Sequence, residues 1–102
     1  MQAKLKPGDT YTRDINGITY EIAVMSVGEM LDAEDALGEA KESASATDHY
    51  RVWLDVVGRF VKSWTHDRPI SDIRYVLDAD GLADVMSAVM VGNKLEEADA
   101  KN

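Results

Sequence analysis

The chain contains no cysteine, which removes disulfides, thiolate nucleophiles and every cysteine-based metal site and fits a reducing compartment. Long apolar runs are missing as well. No stretch approaches the roughly 18 residues of a membrane span, and the opening MQAKLKPGDT carries no apolar segment of signal-peptide type. Basic charge is scarce: 11 Lys and Arg stand against 19 Asp and Glu, a net charge of -8. Such a surface repels phosphate backbones and anionic membranes, so neither nucleic acid nor membrane is expected as a partner. A phosphate-binding glycine loop, a defensible Ser-His-Asp order and an aromatic-basic surface are also lacking. The expectation is a soluble cytoplasmic protein that is not an enzyme and carries no cofactor.

What remains, 102 residues at 45% apolar content, suffices for one domain with a modest core. Residues 1–9 read as a flexible N-terminus, 10–92 as the globular domain and 93–102, NKLEEADAKN from Asn93, as a polar, frayed tail.

Residues 10–24, TYTRDINGITYEIAV, place Asn16-Gly17 between two alternating segments, and Asn-Gly is the strongest short hairpin signal because both positions tolerate positive φ. A two-residue loop pairs Ile15 with Ile18, Arg13 with Tyr20 and Tyr11 with Ile22. One face is then largely apolar, and since a lone hairpin is marginal in water that face must rest on helices or on another chain.

Helices are expected over about 26–38, 47–65, 71–77 and 80–91. Ser26 and Glu29 have capping-box spacing ahead of a stripe of Val27, Met30, Leu31 and Leu37, which Gly38 weakens. Residues 39–47, EAKESASAT, read as a frayed extension or a flexible connection. Thr47-Asp48 is the expected cap of the central helix, on which Tyr50, Trp53, Leu54, Val57, Phe60, Val61 and Trp64 recur at helical spacing. Pro69 ends it, because proline disfavours helical geometry at the preceding residue. Ser71-Asp72 then caps a short helix. Asp78 or Asp80 caps a last one with a stripe of Leu82, Val85, Met86, Val89 and Met90 and a stop at Gly92. The fold class is α+β, mainly helical: an N-terminal β-hairpin followed by three to four helices around a central amphipathic helix.

Few residues invite a chemical role. His66 beside Asp67 has the makings of an oriented base, but neighbours at a helix end point in different directions and no nucleophile accompanies them. A solvated corner tied down by Asp67 and Arg68 is the simpler reading. His49 lies 17 positions earlier, a spacing that matches no zinc pattern, and reads as exposed on the first helical turn. Aligning Gly81 with the invariant glycine of a calcium loop puts Val76 and Ser87 where carboxylates are required, so Asp78 and Asp80 read as caps. No metal site is expected.

The order of these elements resembles the small tail assembly chaperones of long-tailed bacteriophages and prophages. The likeness is carried by ITYEIAV running into SVGEMLDAEDAL, by VVGRFVKSWTHDRPI, and by YVLDADGLADVMSAVMVGN, and covers roughly residues 15–92. It implies a non-enzymatic protein that acts during tail morphogenesis, engages the tape-measure protein, helps recruit tail-tube subunits and is absent from the finished particle. In several of these families a ribosomal frameshift adds a C-terminal domain, and this chain corresponds to the short form.

A chaperone of this kind needs an accessible, adaptable apolar surface on a charged, soluble body. The candidates are the hairpin face of Tyr11, Tyr20 and Ile22 and the methionines Met25, Met30, Met86 and Met90. A homo-oligomer is also possible for such a surface. The competing expectations are a structural virion component, such as a head-to-tail connector or tail-completion protein, and an acidic decoy for a nucleic-acid-binding protein.

Overall fold

The computed structural model describes residues 5–42 and 45–101, the last ten as backbone only. Residues 1–4 of the expected N-terminal segment, 43–44 of the expected connection and 102 lie outside it. Strands β1 (Thr10–Ile15) and β2 (Ile18–Ala23) are followed by helices α1 (Val27–Glu42) and α2 (Ala46–Phe60), strand β3 (Val61–Trp64), a 3-10 turn (Ile70–Asp72), α3 (Ile73–Val76) and α4 (Ala79–Lys101). The class is α+β and mainly helical.

The hairpin forms in the expected register, Tyr11 opposite Ile22, Arg13 opposite Tyr20 and Ile15 opposite Ile18. Asn16 and Gly17 take φ of 53° and 83°, the paired positive values of a turn whose twist matches the strands it joins. The hairpin also has a third partner, as the sheet order is β1-β2-β3 with β3 antiparallel to β2.

That third strand corrects the expected helix over 47–65. The helix stops at Phe60, where Val61 turns extended (φ -85°, ψ 114°) while its N–H still donates to the Val57 carbonyl. Lys62 Nζ caps the Arg59 carbonyl at 3.0 Å. At the other end the cap is Ser45, two residues ahead of Thr47.

Further boundaries move. Lys6 to Asp9 form a tight turn instead of a loose end, with Lys6 N–H donating to Asp9 Oδ2 (2.9 Å) and Gly8 N–H to the Val24 carbonyl (3.1 Å). Helix α1 runs through Gly38 to Glu42, and α4 passes Gly92 as a helix to Lys101, so neither glycine is a stop and 93–101 are not an unstructured tail. Asp72 accepts from Arg68 Nε (3.3 Å) and makes no side-chain cap, and the chain over 70–72 is a 3-10 turn with only Ile73–Val76 α-helical.

Two caps form as read. Ser26 Oγ accepts from Glu29 N–H (3.1 Å) while Glu29 Oε1 accepts from Ser26 N–H (2.9 Å). Asp78 Oδ1 accepts from Gly81 N–H at 2.7 Å. Ser26→Ala removes one arm of the reciprocal cap and is expected to cost about 1 kcal/mol, read as a lower midpoint in urea unfolding. The interior helical glycines act oppositely. Nothing lies within 4 Å of a Cβ placed at Gly38 or Gly58, so Gly38→Ala and Gly58→Ala are each expected to add about 0.5–1 kcal/mol, measured as a higher melting temperature.

The core lies where the sheet meets α2 and α4. Tyr20, Ile22, Val57, Val85 and Val89 are fully buried there, joined by Tyr11, Met25, Phe60, Val61, Leu82 and Met86. Tyr11 Oη donates towards the carbonyls of Ala88 and Val89, each at 3.2 Å, and so fastens the outer strand to α4. Helix α1 faces inward through Ala33 and Ala40, with Met30 and Leu37 of the expected stripe half-buried against the core beside them, whereas the other two stripe residues point outward. Val27 and Leu31 stand 69% and 55% exposed. Small residues on the inner face allow α1 to approach closely.

Candidate functional site

The hairpin face is not an open surface. Tyr11, Tyr20, Ile22, Met25 and Met86 are buried, because α2, α4 and β3 supply the cover that a lone hairpin lacks. Tyr11, Tyr20, Ile22 and Met25 are therefore corrected from docking candidates to core residues, while Met86 belongs to the core and also borders the groove between α1, α2 and α4. Tyr20 is 1% exposed, and burial pushes its phenol above the ordinary value of 10.0. Met30 and Met90 are half-buried.

The FVKSWTHDRPI stretch closes on itself. Trp64 Nε1 donates to the Arg68 carbonyl (2.8 Å), Arg68 N–H donates to His66 Nδ1 (3.0 Å), and the Trp64 and His66 rings lie 5.0 Å apart. Thr65 is tied to the hairpin, its N–H donating to the Thr19 carbonyl and its Oγ1 accepting from Thr19 N–H. His66 thus spends Nδ1 on the backbone of its own bend, a structural use. The corner is held by the Arg68–Asp72 pair at 3.3 Å. Both partners are partly solvated, so the pair orders the bend more than it stabilises the fold.

Open apolar surface lies elsewhere, between helices. One groove of about 480 Å³ runs between α1, α2 and α4 and is lined by Leu37, Ala40, Trp53, Ala83, Met86 and Met90, with Lys41, His49 and Ser87 as its polar members. Its walls combine flexible thioethers with one rigid indole, a surface that repacks around different apolar shapes. His49, expected to be exposed, is half-buried. Its Nε2 is shielded from solvent and has no hydrogen-bond partner among the described residues. An unmet buried polar atom costs about 1–3 kcal/mol, and a group entering the groove with a complementary atom would recover it.

A second groove crosses the other side of α2. Its larger part, about 510 Å³, includes Leu54, Val57, Val61, Ile70, Ile73 and the arginines Arg51 and Arg74. A smaller part of about 230 Å³ continues past Tyr50, Leu77 and Leu82, sharing Leu54, Ile73 and Arg74. Tyr50, a member of the expected apolar stripe, is 39% exposed and packs edge-on against Trp53 at 5.9 Å.

Among the described residues no group of three or more His, Asp or Glu side chains is placed to hold a metal ion, and no helix is long and apolar enough to cross a membrane. Both grooves arise where helices fail to close over each other, a tertiary property. The only sequence signal for the first was methionine at Met86 and Met90 on the last helix. Compared with known proteins, the chain matches no family model, no curated protein and no solved structure.

Proposed function

We propose that this chain is a tail assembly chaperone of a long-tailed phage or prophage, a non-enzymatic cytoplasmic protein that engages the tape-measure protein and tail-tube subunits during morphogenesis. The observation that supports it is the open groove between α1, α2 and α4, in which Leu37, Trp53 and Met90 present adaptable apolar surface around His49 Nε2, which has no partner among the described residues. Such a groove takes an apolar segment of a partner and shields it until assembly, while the charge of -8 keeps the complex soluble.

The test is co-expression with tagged fragments of a tape-measure protein from the same genome. Retention of this chain through purification, together with its absence from purified virions by mass spectrometry, is the expected result. No retention by any fragment contradicts the proposal. Stoichiometric presence in mature virions assigns the chain to the structural virion components instead.

A further inference from the structure

The second groove has a charge pattern that the chaperone reading does not use. Its acids are already engaged: Asp55 pairs with Arg59 at 3.2 Å, and Asp78 caps α4 through Gly81 N–H. Its arginines are not. Arg51 and Arg74 are exposed on α2 and α3, and neither makes an ion pair or a side-chain hydrogen bond among the described residues. The floor between them is apolar, built from Leu54, Val57, Ile73 and Leu77. In a chain with only 11 basic residues, an apolar trough edged by two uncommitted guanidinium groups is a selective feature.

The geometry points to a docking site for an acidic amphipathic helix of a partner protein, its apolar stripe on Leu54 and Ile73 and its flanking carboxylates on Arg51 and Arg74. Guanidinium groups bind carboxylates bidentately, and a helix laid in a groove reads out as apolar anchors at i, i+3, i+4 and i+7. The overall charge of -8 opposes an acidic partner only weakly at the contact. Charges farther away than about 8 Å are largely screened at physiological salt, whereas the two arginines touch the ligand. The smaller lobe beside Tyr50 and Leu82 gives the groove the length to take more than one apolar side chain. This site lies on the face of α2 away from the methionine groove and stands without the chaperone reading.

The test uses two fluorescein-labelled synthetic helical peptides with the same leucine pattern, one with glutamate and one with lysine at the flanking positions. In anisotropy titrations the glutamate peptide is expected to bind saturably and the lysine peptide at least tenfold more weakly. The double variant Arg51→Glu, Arg74→Glu is expected to reverse that order. Gly58→Phe places a ring in the trough from a position with open space and is expected to abolish binding of both, with circular dichroism confirming the fold of each variant. Equal binding of the two peptides, no binding of the glutamate peptide at millimolar protein, or indifference to the double charge reversal overturns the inference. So does sedimentation of the wild-type chain as an oligomer that Arg74→Glu dissolves, which would give the groove to a second copy.

Discussion

Replacing Tyr20 with alanine is expected to cost about 3–5 kcal/mol, the range for removing a large buried aromatic. A domain of this size has about 5–15 kcal/mol in total, so the variant should lose a large share of its stability and, at the low end of that range, approach unfolding. Tyr20 is 1% exposed, lies opposite both Arg13 and Trp64 across the sheet, and packs at a tilt against the Trp64 ring with centroids 6.1 Å apart. Its loss therefore opens a cavity under all three strands at once. Urea unfolding followed by tryptophan fluorescence measures it, and a midpoint within error of wild type would show that the ring does not fill the core. The same burial gives a pH signature. Because the folded phenol titrates above 10.0, the unfolded chain releases its proton first, so stability is unaffected below about pH 10 and falls as pH rises towards the folded value.

Placing a carboxylate in the methionine groove has the second large effect, on binding and not on folding. Met90→Glu puts an unpaired charge where an apolar partner segment would lie against Met86 and Leu37. Burying such a charge costs several kcal/mol, and each 1.4 kcal/mol is tenfold in affinity, so under the proposed function capture of a tape-measure fragment should fall at least tenfold. Met90 is only half-buried, and the flexible glutamate stem lets the free protein keep its carboxylate in water, so the melting temperature should change little. Tyr75→Glu introduces the same charge at a side chain that is 70% exposed and outside both grooves, and should leave capture unchanged. Equal losses from the two substitutions would mean that net charge, and not the groove, controls binding.

Local features of this fold were readable from residues because short-range chemistry decides them. Asn16-Gly17 sets the hairpin register, Ser26 with Glu29 starts α1, and Asp78 starts α4. The third strand was hidden by a coincidence of spacing. Tyr20, Glu21 and Ile22 pair with Trp64, Ser63 and Val61, which leaves Lys62 as the extra residue of a bulge. A regular strand alternates its faces, but this bulge turns Val61 and Trp64 inward three positions apart, the same spacing as one turn of helix. The strand thus continued the stripe of α2 in phase. The inner face of α1 was hidden differently: Ala33 and Ala40, seven apart beside Met30 and Leu37, are the packing surface. Weighting large apolar residues found Met30 and Leu37 but also favoured Val27 and Leu31, which solvent reaches.

The same reasoning explains why the hairpin candidates were misplaced. An amphipathic hairpin announces that its apolar face must be covered, but not by what. Here the cover comes from α2, α4 and β3 of the same chain, and the accessible apolar surface moves to the seams between helices. His49 belongs to such a seam, and nothing in its sequence neighbourhood distinguishes it from an exposed first-turn residue.

A methyl NMR titration of the methionine-labelled chain with a tape-measure fragment discriminates most directly between seam and hairpin as the docking surface. The groove predicts that the Met90 methyl moves most and Met86 follows, while Met25, buried beside the hairpin, stays in place. A titration that shifts Met25 and leaves Met86 and Met90 unmoved would contradict it.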